Sequence, residues 1–92
     1  MTIIEGRTGL KFKLIPDGRG TAVQLLTRGE GNTIGPFIFV NETIETIQDR
    51  FYRWIHQGEY IQDAFREWTP YQREFLMTGY TEKEWNELFG ED

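Results

Sequence analysis

The stretch that decides the fold is "NETIETIQDRFYRWIHQG", residues 41–58, where the spacing of apolar residues changes from that of strands to that of a helix. Its large apolar residues recur at intervals of three and four, the stripe of an amphipathic helix. Asn41 is a suitable N-cap, and Gly58 suits the position just after a helix end. The pattern predicts a helix over about 42–57 that covers the core with Ile44, Ile47, Phe51, Trp54 and Ile55.

The residues before this helix have the pattern of strands. In "LKFKLIP", residues 10–16, apolar residues alternate with lysines, as in a half-buried strand, and Pro16, Asp17 and Gly18 provide turn chemistry. "TAVQLLT", residues 21–27, can return as its antiparallel partner. A glycine-rich break over 27–36 precedes "FIFV", residues 37–40, and "TIIE", residues 2–5, can add a short edge strand. We expect three or four antiparallel strands.

Two short helices are predicted after the long one. In "TPYQREFLMTG", residues 69–79, Thr69 and Gln72 form a capping box and Gly79 ends the helix. In "YTEKEWNELFG", residues 80–90, Thr81 and Glu84 repeat the device. A further turn is expected in "YIQDAF", residues 60–65. Because short helices are marginal alone, we expect inward packing of Phe75, Leu76, Trp85, Leu88 and Phe89.

The predicted fold class is α+β. A chain of 92 residues forms one domain, 1–92, and its 14 aromatic residues (7 Phe, 4 Tyr and 3 Trp) help to fill a single core. We divide it into a β region over 1–40, the long helix over 41–58, and an acidic segment of short helices over 59–92. A three- or four-stranded antiparallel sheet is thus covered by the long helix and followed by short C-terminal helices.

Composition argues against several function classes. The chain has no cysteine, no serine and one histidine, His56, which disfavours zinc sites and Ser-His-Asp catalysis. No carboxylate pair is marked by an evident cleft, so we expect no enzymatic activity, no cofactor and no metal. The absence of a leader pattern, of a long apolar run and of cysteine predicts a cytoplasmic protein that does not enter a membrane.

Charge is concentrated in the C-terminal third. The net charge is −5 overall, but residues 59–92 carry nine acidic against three basic residues. Phosphates would be repelled there, so sequence-specific DNA binding is not expected. Glu84, Glu87 and Glu91 fall on one helical stripe, which predicts a docking surface for a basic partner protein, an imitation of a nucleic-acid backbone, or a solvated face.

Two other residue sets are candidate binding sites. Trp68 and Tyr71 belong to an aromatic cluster that forms either core or partner anchors, with core the favoured interpretation. Arg7, Arg19 and Arg28 each stand beside a glycine, and guanidinium groups with glycine-flanked amides are suited to phosphate recognition. Ordinary hairpin turns explain the same glycines, and no nucleotide-binding spacing is present.

The segment "IQDAFREWTPYQREFLMTGYTEKEWNELFG", residues 61–90, resembles the C-terminal segment of short uncharacterised proteins encoded by bacteriophages. Members often have proline where Arg66 stands here. The resemblance covers about a third of the chain and implies a phage origin but no catalytic role. It leaves four polar residues that either orient one another or touch a partner: Gln62, Asp63, Arg73 and Glu74.

Three functions are compatible with these patterns. The favoured hypothesis is a non-enzymatic phage accessory protein that binds and modulates a host protein, in defence or nucleic-acid metabolism. The second is a binder that sequesters a small nucleotide-like anion. The third is a virion structural or assembly protein, for which homo-oligomers are expected.

Overall fold

A computed structural model describes residues 2–26 and 35–89, with the side chain of Phe89 outside the description. Four strands come first: β1 (Thr2–Glu5), β2 (Lys11–Asp17), β3 (Gly20–Leu25) and β4 (Phe37–Val40). Four helices follow: α1 (Ile44–His56), α2 (Ile61–Ala64), α3 (Pro70–Thr78) and α4 (Glu82–Phe89). The predicted α+β class and its order of elements are confirmed.

The strands form one antiparallel sheet in the order β1-β2-β3-β4. Phe12 pairs with Leu25 and Leu14 with Val23, so the alternation read in "LKFKLIP" places Phe12 and Leu14 on the face that packs on the helices. The turn between β2 and β3 is Gly18-Arg19, and Pro16 and Asp17 are part of β2. The turn therefore begins at Gly18, two residues later than the predicted start at Pro16.

The core lies between one face of the sheet and helices α1 to α3. Phe12 is fully buried, and its ring lies 6.2 Å from that of Phe51 on α1 and 5.7 Å from that of Phe75 on α3. Phe65, after α2, makes an edge contact with Phe51 at 5.3 Å. Aromatic rings from four segments thus join the sheet to the helices in one cluster.

The long helix begins later than predicted. Its N-cap is Thr43, whose hydroxyl accepts a hydrogen bond from the Thr46 amide, so the prediction of Asn41 is wrong by two residues. Glu42 lies between Asn41 and Thr43, and its side chain accepts hydrogen bonds from a buried arginine described below. The helix ends at His56, one residue before the predicted end, and Gly58 lies just after the cap with a φ of 74°, as predicted for this glycine.

The caps of the short helices are confirmed. Thr69 and Gln72 make both hydrogen bonds of a capping box, and Gly79 follows α3 with a φ of 76°, a left-handed conformation that suits glycine. Thr81 and Glu84 make the same pair of bonds at α4. Local sequence therefore sets the start of α3 and of α4.

The inward packing expected of these two helices is only partly observed. Phe75 and Leu76 are buried and Trp85 is half-buried, but Leu88 is 58% exposed, so its predicted inward position is wrong. Trp85, in the first half of α4, contacts Tyr71 on α3. Leu88 lies almost one turn further along the helix and remains on the surface.

Candidate functional site

A groove of about 570 Å³ runs along the outer edge of β4, between that strand, α3 and the start of α4. We call it the β4 groove. Gln72 crosses it at one point, where its amide nitrogen donates to the Phe39 carbonyl at 3.4 Å. Its side-chain lining mixes aromatic, polar and acidic groups, among them Phe37, Phe39, Tyr71, Gln72, Thr81 and Glu82.

Phe37 and Phe39 are the most unusual residues of the groove. They alternate along β4 with Ile38 and Val40, which are buried, and therefore lie on the opposite face of the sheet. Phe37 is 62% and Phe39 45% exposed. Neighbouring exposed aromatic rings are characteristic of protein-binding surfaces, because burying them on association recovers much apolar area.

Tyr71 joins the groove to α4. Its hydroxyl donates to the Tyr80 carbonyl at 3.2 Å, and its ring lies 5.9 Å from that of Trp85. Burial raises the pKa of the Tyr71 hydroxyl, with further contributions from the nearby charges of Glu82 and Glu84. The predicted partner residue Tyr71 is thus half-buried and holds the acidic helix against α3.

Helix α4 carries exposed carboxylates at Glu82, which lines the groove, and further along the helix at Glu84 and Glu87. One oxygen of Glu84 accepts the Thr81 amide at 2.8 Å, so this residue caps its own helix as well as contributing charge. Glu87 makes no hydrogen bond or ion pair with any other described residue. Of the three predicted glutamates, Glu84 and Glu87 thus lie on an exposed helix, and Glu91 lies outside the described residues.

Trp68 lies in the core. It is 4% exposed, its ring packs edge-on against Phe65 at 4.7 Å, and its indole nitrogen donates to Glu42 at 3.0 Å. The favoured core interpretation therefore applies to Trp68. Its candidate role as a partner contact does not fit this placement, because a partner would reach little of the ring.

A buried arginine organises this region, and the sequence analysis missed it. Arg50 is 8% exposed and donates to both oxygens of Glu42, at 3.0 and 2.6 Å, and to the Ala64 carbonyl at 2.9 Å. Glu67 lies 2.9 Å away. Hydrogen bonding to Glu42 is the main factor that raises the Arg50 pKa, and the hydrogen bond from Arg50 is the main factor that lowers the Glu67 pKa.

The signal for this cluster was present in the sequence. Arg50 stands three residues after Ile47 and four before Trp54, on the apolar stripe of α1, where a charge needs a partner. Every buried polar side-chain atom of the cluster is satisfied within the fold, since no buried side-chain nitrogen or oxygen among the described residues lacks a partner. We therefore assign the cluster a structural role.

Arg73, one of the four polar residues that the sequence analysis singled out, also has a structural role. Its guanidinium donates to the carbonyls of Phe65 and Trp68, at 3.2 and 2.5 Å, and more weakly to that of Arg66. It thereby closes the turn after α2. Gln62 and Asp63 are exposed and make no side-chain hydrogen bond within the described part of the chain.

Of the three arginines considered for anion binding, the two that the structure describes, Arg7 and Arg19, do not converge. Arg7 lies in the turn before β2 and Arg19 in the turn after it, so the seven residues of β2 separate them by roughly 20 Å. Arg28 lies outside the described residues. A single phosphate pocket shared by Arg7 and Arg19 is therefore incompatible with the fold.

We next consider the histidine, metal-binding groups and membrane-spanning helices within the described residues. His56 is exposed at the end of α1, with its ring 5.1 Å from that of Tyr52. Within residues 2–26 and 35–89, no group of three or more His, Asp or Glu residues is placed to hold a metal ion. In the same ranges, no helix has both the length and the apolar character needed to cross a membrane.

The comparisons with known proteins add no relative, since no protein-family model, no curated protein and no solved structure matches the chain.

Proposed function

We propose that this chain is a non-enzymatic protein-binding module that docks a host protein through the β4 groove and the adjacent acidic helix α4. The observation that carries the proposal is the exposure of Phe37 and Phe39 in a groove that Glu82, the first residue of the acidic helix α4, also lines. The role of phage accessory protein, acting on a host defence or nucleic-acid protein, rests on the resemblance of residues 61–90.

The two parts of the surface suit different tasks. Aromatic anchors supply affinity, because a few well-packed rings dominate most interfaces. Carboxylates at the rim mainly speed association with a basic partner and make it sensitive to salt. The matching partner surface therefore has an apolar recess bordered by lysine or arginine side chains.

The first experiment is affinity capture of host proteins by the tagged chain, with quantitative mass spectrometry, followed by a Kd for the captured partner. A Phe37→Ser, Phe39→Ser double variant tests the groove. The matched control is Tyr60→Ser, which removes an aromatic ring that is 71% exposed on the α1–α2 connection. Loss of each phenylalanine should weaken binding by about tenfold or more, as expected for a contact worth about 1.4 to 2 kcal/mol.

Testing the acidic helix α4 requires a variant that keeps the cap of that helix intact. Charge reversal at Glu84 would also break the cap of α4, whereas Glu84→Gln retains the acceptor oxygen, as Gln72 does in α3. A Glu84→Gln, Glu87→Gln variant should lower the association rate and flatten its dependence on salt. Unchanged kinetics in that variant would remove α4 from the interface, and unchanged affinity in the phenylalanine variant would reject the groove itself.

A further inference from the structure

The two edges of the sheet are protected differently. At β4, the Phe39 carbonyl points away from β3 and is covered by Gln72 of α3. At β1, no described strand or helix hydrogen-bonds to the outer side. Open edges invite pairing with another strand, and proteins usually blunt them with charge, proline, bulges or a covering element. Of these protective features, strand β1 ("TIIE") has only one, the charge of its last residue, Glu5.

The register shows which backbone groups of β1 are available. The Gly6 amide donates to the Leu10 carbonyl at 2.8 Å, and antiparallel ladders alternate between hydrogen-bonded and non-hydrogen-bonded pairs. Ile4 therefore bonds to β2 through its pair with Phe12. The N–H and C=O groups of Ile3 and Glu5 point to the open edge.

A second groove lies beside this edge. It has a volume of about 630 Å³ and runs between β1 and α1. The α1 side is formed by uncharged residues, Gln48, Tyr52 and Ile55, with His56 at the end. Ile3 is 55% and Tyr52 53% exposed, so the open edge is also apolar.

We propose that β1 pairs antiparallel with β1 of a second copy of this chain, with a twofold axis at Ile4, to make a continuous eight-stranded sheet. In this register Ile3 lies opposite the partner's Glu5, and Glu5 opposite the partner's Ile3. Four backbone hydrogen bonds form, and they use every outward amide and carbonyl of Ile3 and Glu5 in both copies.

The placement of charge on β1 and β2 supports a second copy as the occupant, because self-pairing opposes no like charges. Within one copy, Ile3 pairs with Lys13 and Glu5 pairs with Lys11. On the outer face of the joined sheet, the residues side by side across the four central strands are therefore, in order, Lys13, Ile3, the partner's Glu5 and the partner's Lys11. No like charges are adjacent in this row. A shift that placed Glu5 opposite the partner's Glu5 would oppose two carboxylates, so charge also selects the register.

The opposite face of the joined strands is equally compatible. Ile4 meets the partner's Ile4 in a non-hydrogen-bonded pair, the arrangement in which side chains approach most closely. The grooves beside α1 in the two copies then lie on the same side of the sheet and border the twofold axis. The α1 side of each groove brings no carboxylate or ammonium group to this axis, and the two charged residues of the lining, Glu5 and Arg7, belong to β1 and the turn after it. This proposal is independent of the β4 groove.

The test is sedimentation velocity and native mass spectrometry of the full chain from micromolar to near-millimolar concentration. We expect a monomer–dimer equilibrium that shifts with concentration. Glu5→Pro removes two of the four hydrogen bonds and should raise the dimer dissociation constant by about tenfold or more. The control is Glu5→Gln, which keeps the amide and should still dimerise. A wild-type chain that stays monomeric throughout overturns the proposal, whether or not it binds an added peptide.

The chain has no cysteine, so a disulfide scan provides a second readout that does not depend on the proline variant folding. Ile4→Cys should link two copies under mild oxidation, because the Cα atoms of a non-hydrogen-bonded pair lie about 4.5 Å apart. Ile3→Cys should not, since its copies would lie roughly 8 Å apart, beyond the reach of a disulfide. Linking through position 3 rather than position 4 would overturn the register.

Discussion

Replacing Arg50 by methionine is the sharpest test of how this fold is held together. Methionine keeps most of the apolar stem but removes the guanidinium that Glu42 and the Ala64 carbonyl bind. The change therefore leaves a carboxylate without its cation and a buried carbonyl without its donor. Both groups were withdrawn from water when the chain folded, and neither regains a full water shell in the variant.

The magnitude follows from the surroundings of the pair. Removing one partner of a buried ion pair costs about 3 to 5 kcal/mol, and an orphaned carbonyl costs about 1 to 3 kcal/mol. Glu42 keeps its bond from Trp68, and its side chain is 19% exposed, so water compensates in part. We expect a loss of about 3 kcal/mol from a total stability of about 5 to 14 kcal/mol for a domain of this size.

The assay is urea unfolding followed by tryptophan fluorescence and circular dichroism. The matched control is Arg53→Met on the same helix, where Asp49 and Glu59 pair with a more exposed guanidinium and the expected cost is below about 1 kcal/mol. Adding Glu42→Gln to Arg50→Met should restore part of the loss, because it removes the orphaned charge. Equal costs for Arg50→Met and Arg53→Met would refute the assignment of Arg50 as a structural centre.

Three further changes test other features by the same unfolding assay. Arg50 holds the Glu67 pKa below its ordinary value of 4.5, so this contribution is present above the unfolded pKa and is lost as pH falls through the folded one. Glu67→Gln should therefore unfold with a shallower dependence on pH in the acid range, and an unaltered pH profile would contradict the pairing. Gly20→Ala should cost more than about 2 kcal/mol, because its Cβ would lie 2.3 Å from a backbone oxygen of β4, and a neutral effect would show that the strands can separate there. Thr81→Ala should cost about 1 kcal/mol through loss of the cap that it shares with Glu84, with reduced helicity by circular dichroism as the check.

The features predicted correctly from the sequence are local ones. A capping box spans only four residues. The pairs Thr69 with Gln72 and Thr81 with Glu84 could therefore be predicted without knowledge of the rest of the fold. Strand alternation is equally local when one face is charged, as in β2. In these cases the chemistry that decides the structure lies next to the residue that it affects.

The features that were missed depend on distant parts of the chain. In "FIFV" both alternating pairs are apolar, so alternation could not decide which pair faces the core, and the exposure of Phe37 and Phe39 emerged only from the sheet. Leu88 falls on the expected helical stripe, yet periodicity does not tell whether a neighbour covers the end of α4. Arg50 was readable as a charge on an apolar stripe, but its partner Glu42 was identified only by the fold.

The Arg50 cluster has a consequence for how the molecule opens. One guanidinium is bonded to the segment before α1, to the last residue of α2 and to the connection before α3, so detaching any one of them leaves this buried charge short of a partner. Amide hydrogen exchange in α1 and α3 should therefore require a common opening close to global unfolding. Helix α4, whose contact with α3 runs through Tyr71 and Trp85, should exchange through a separate and less costly opening. A partner that binds α4 would then slow exchange there first, which makes that helix a natural reporter of the bound state.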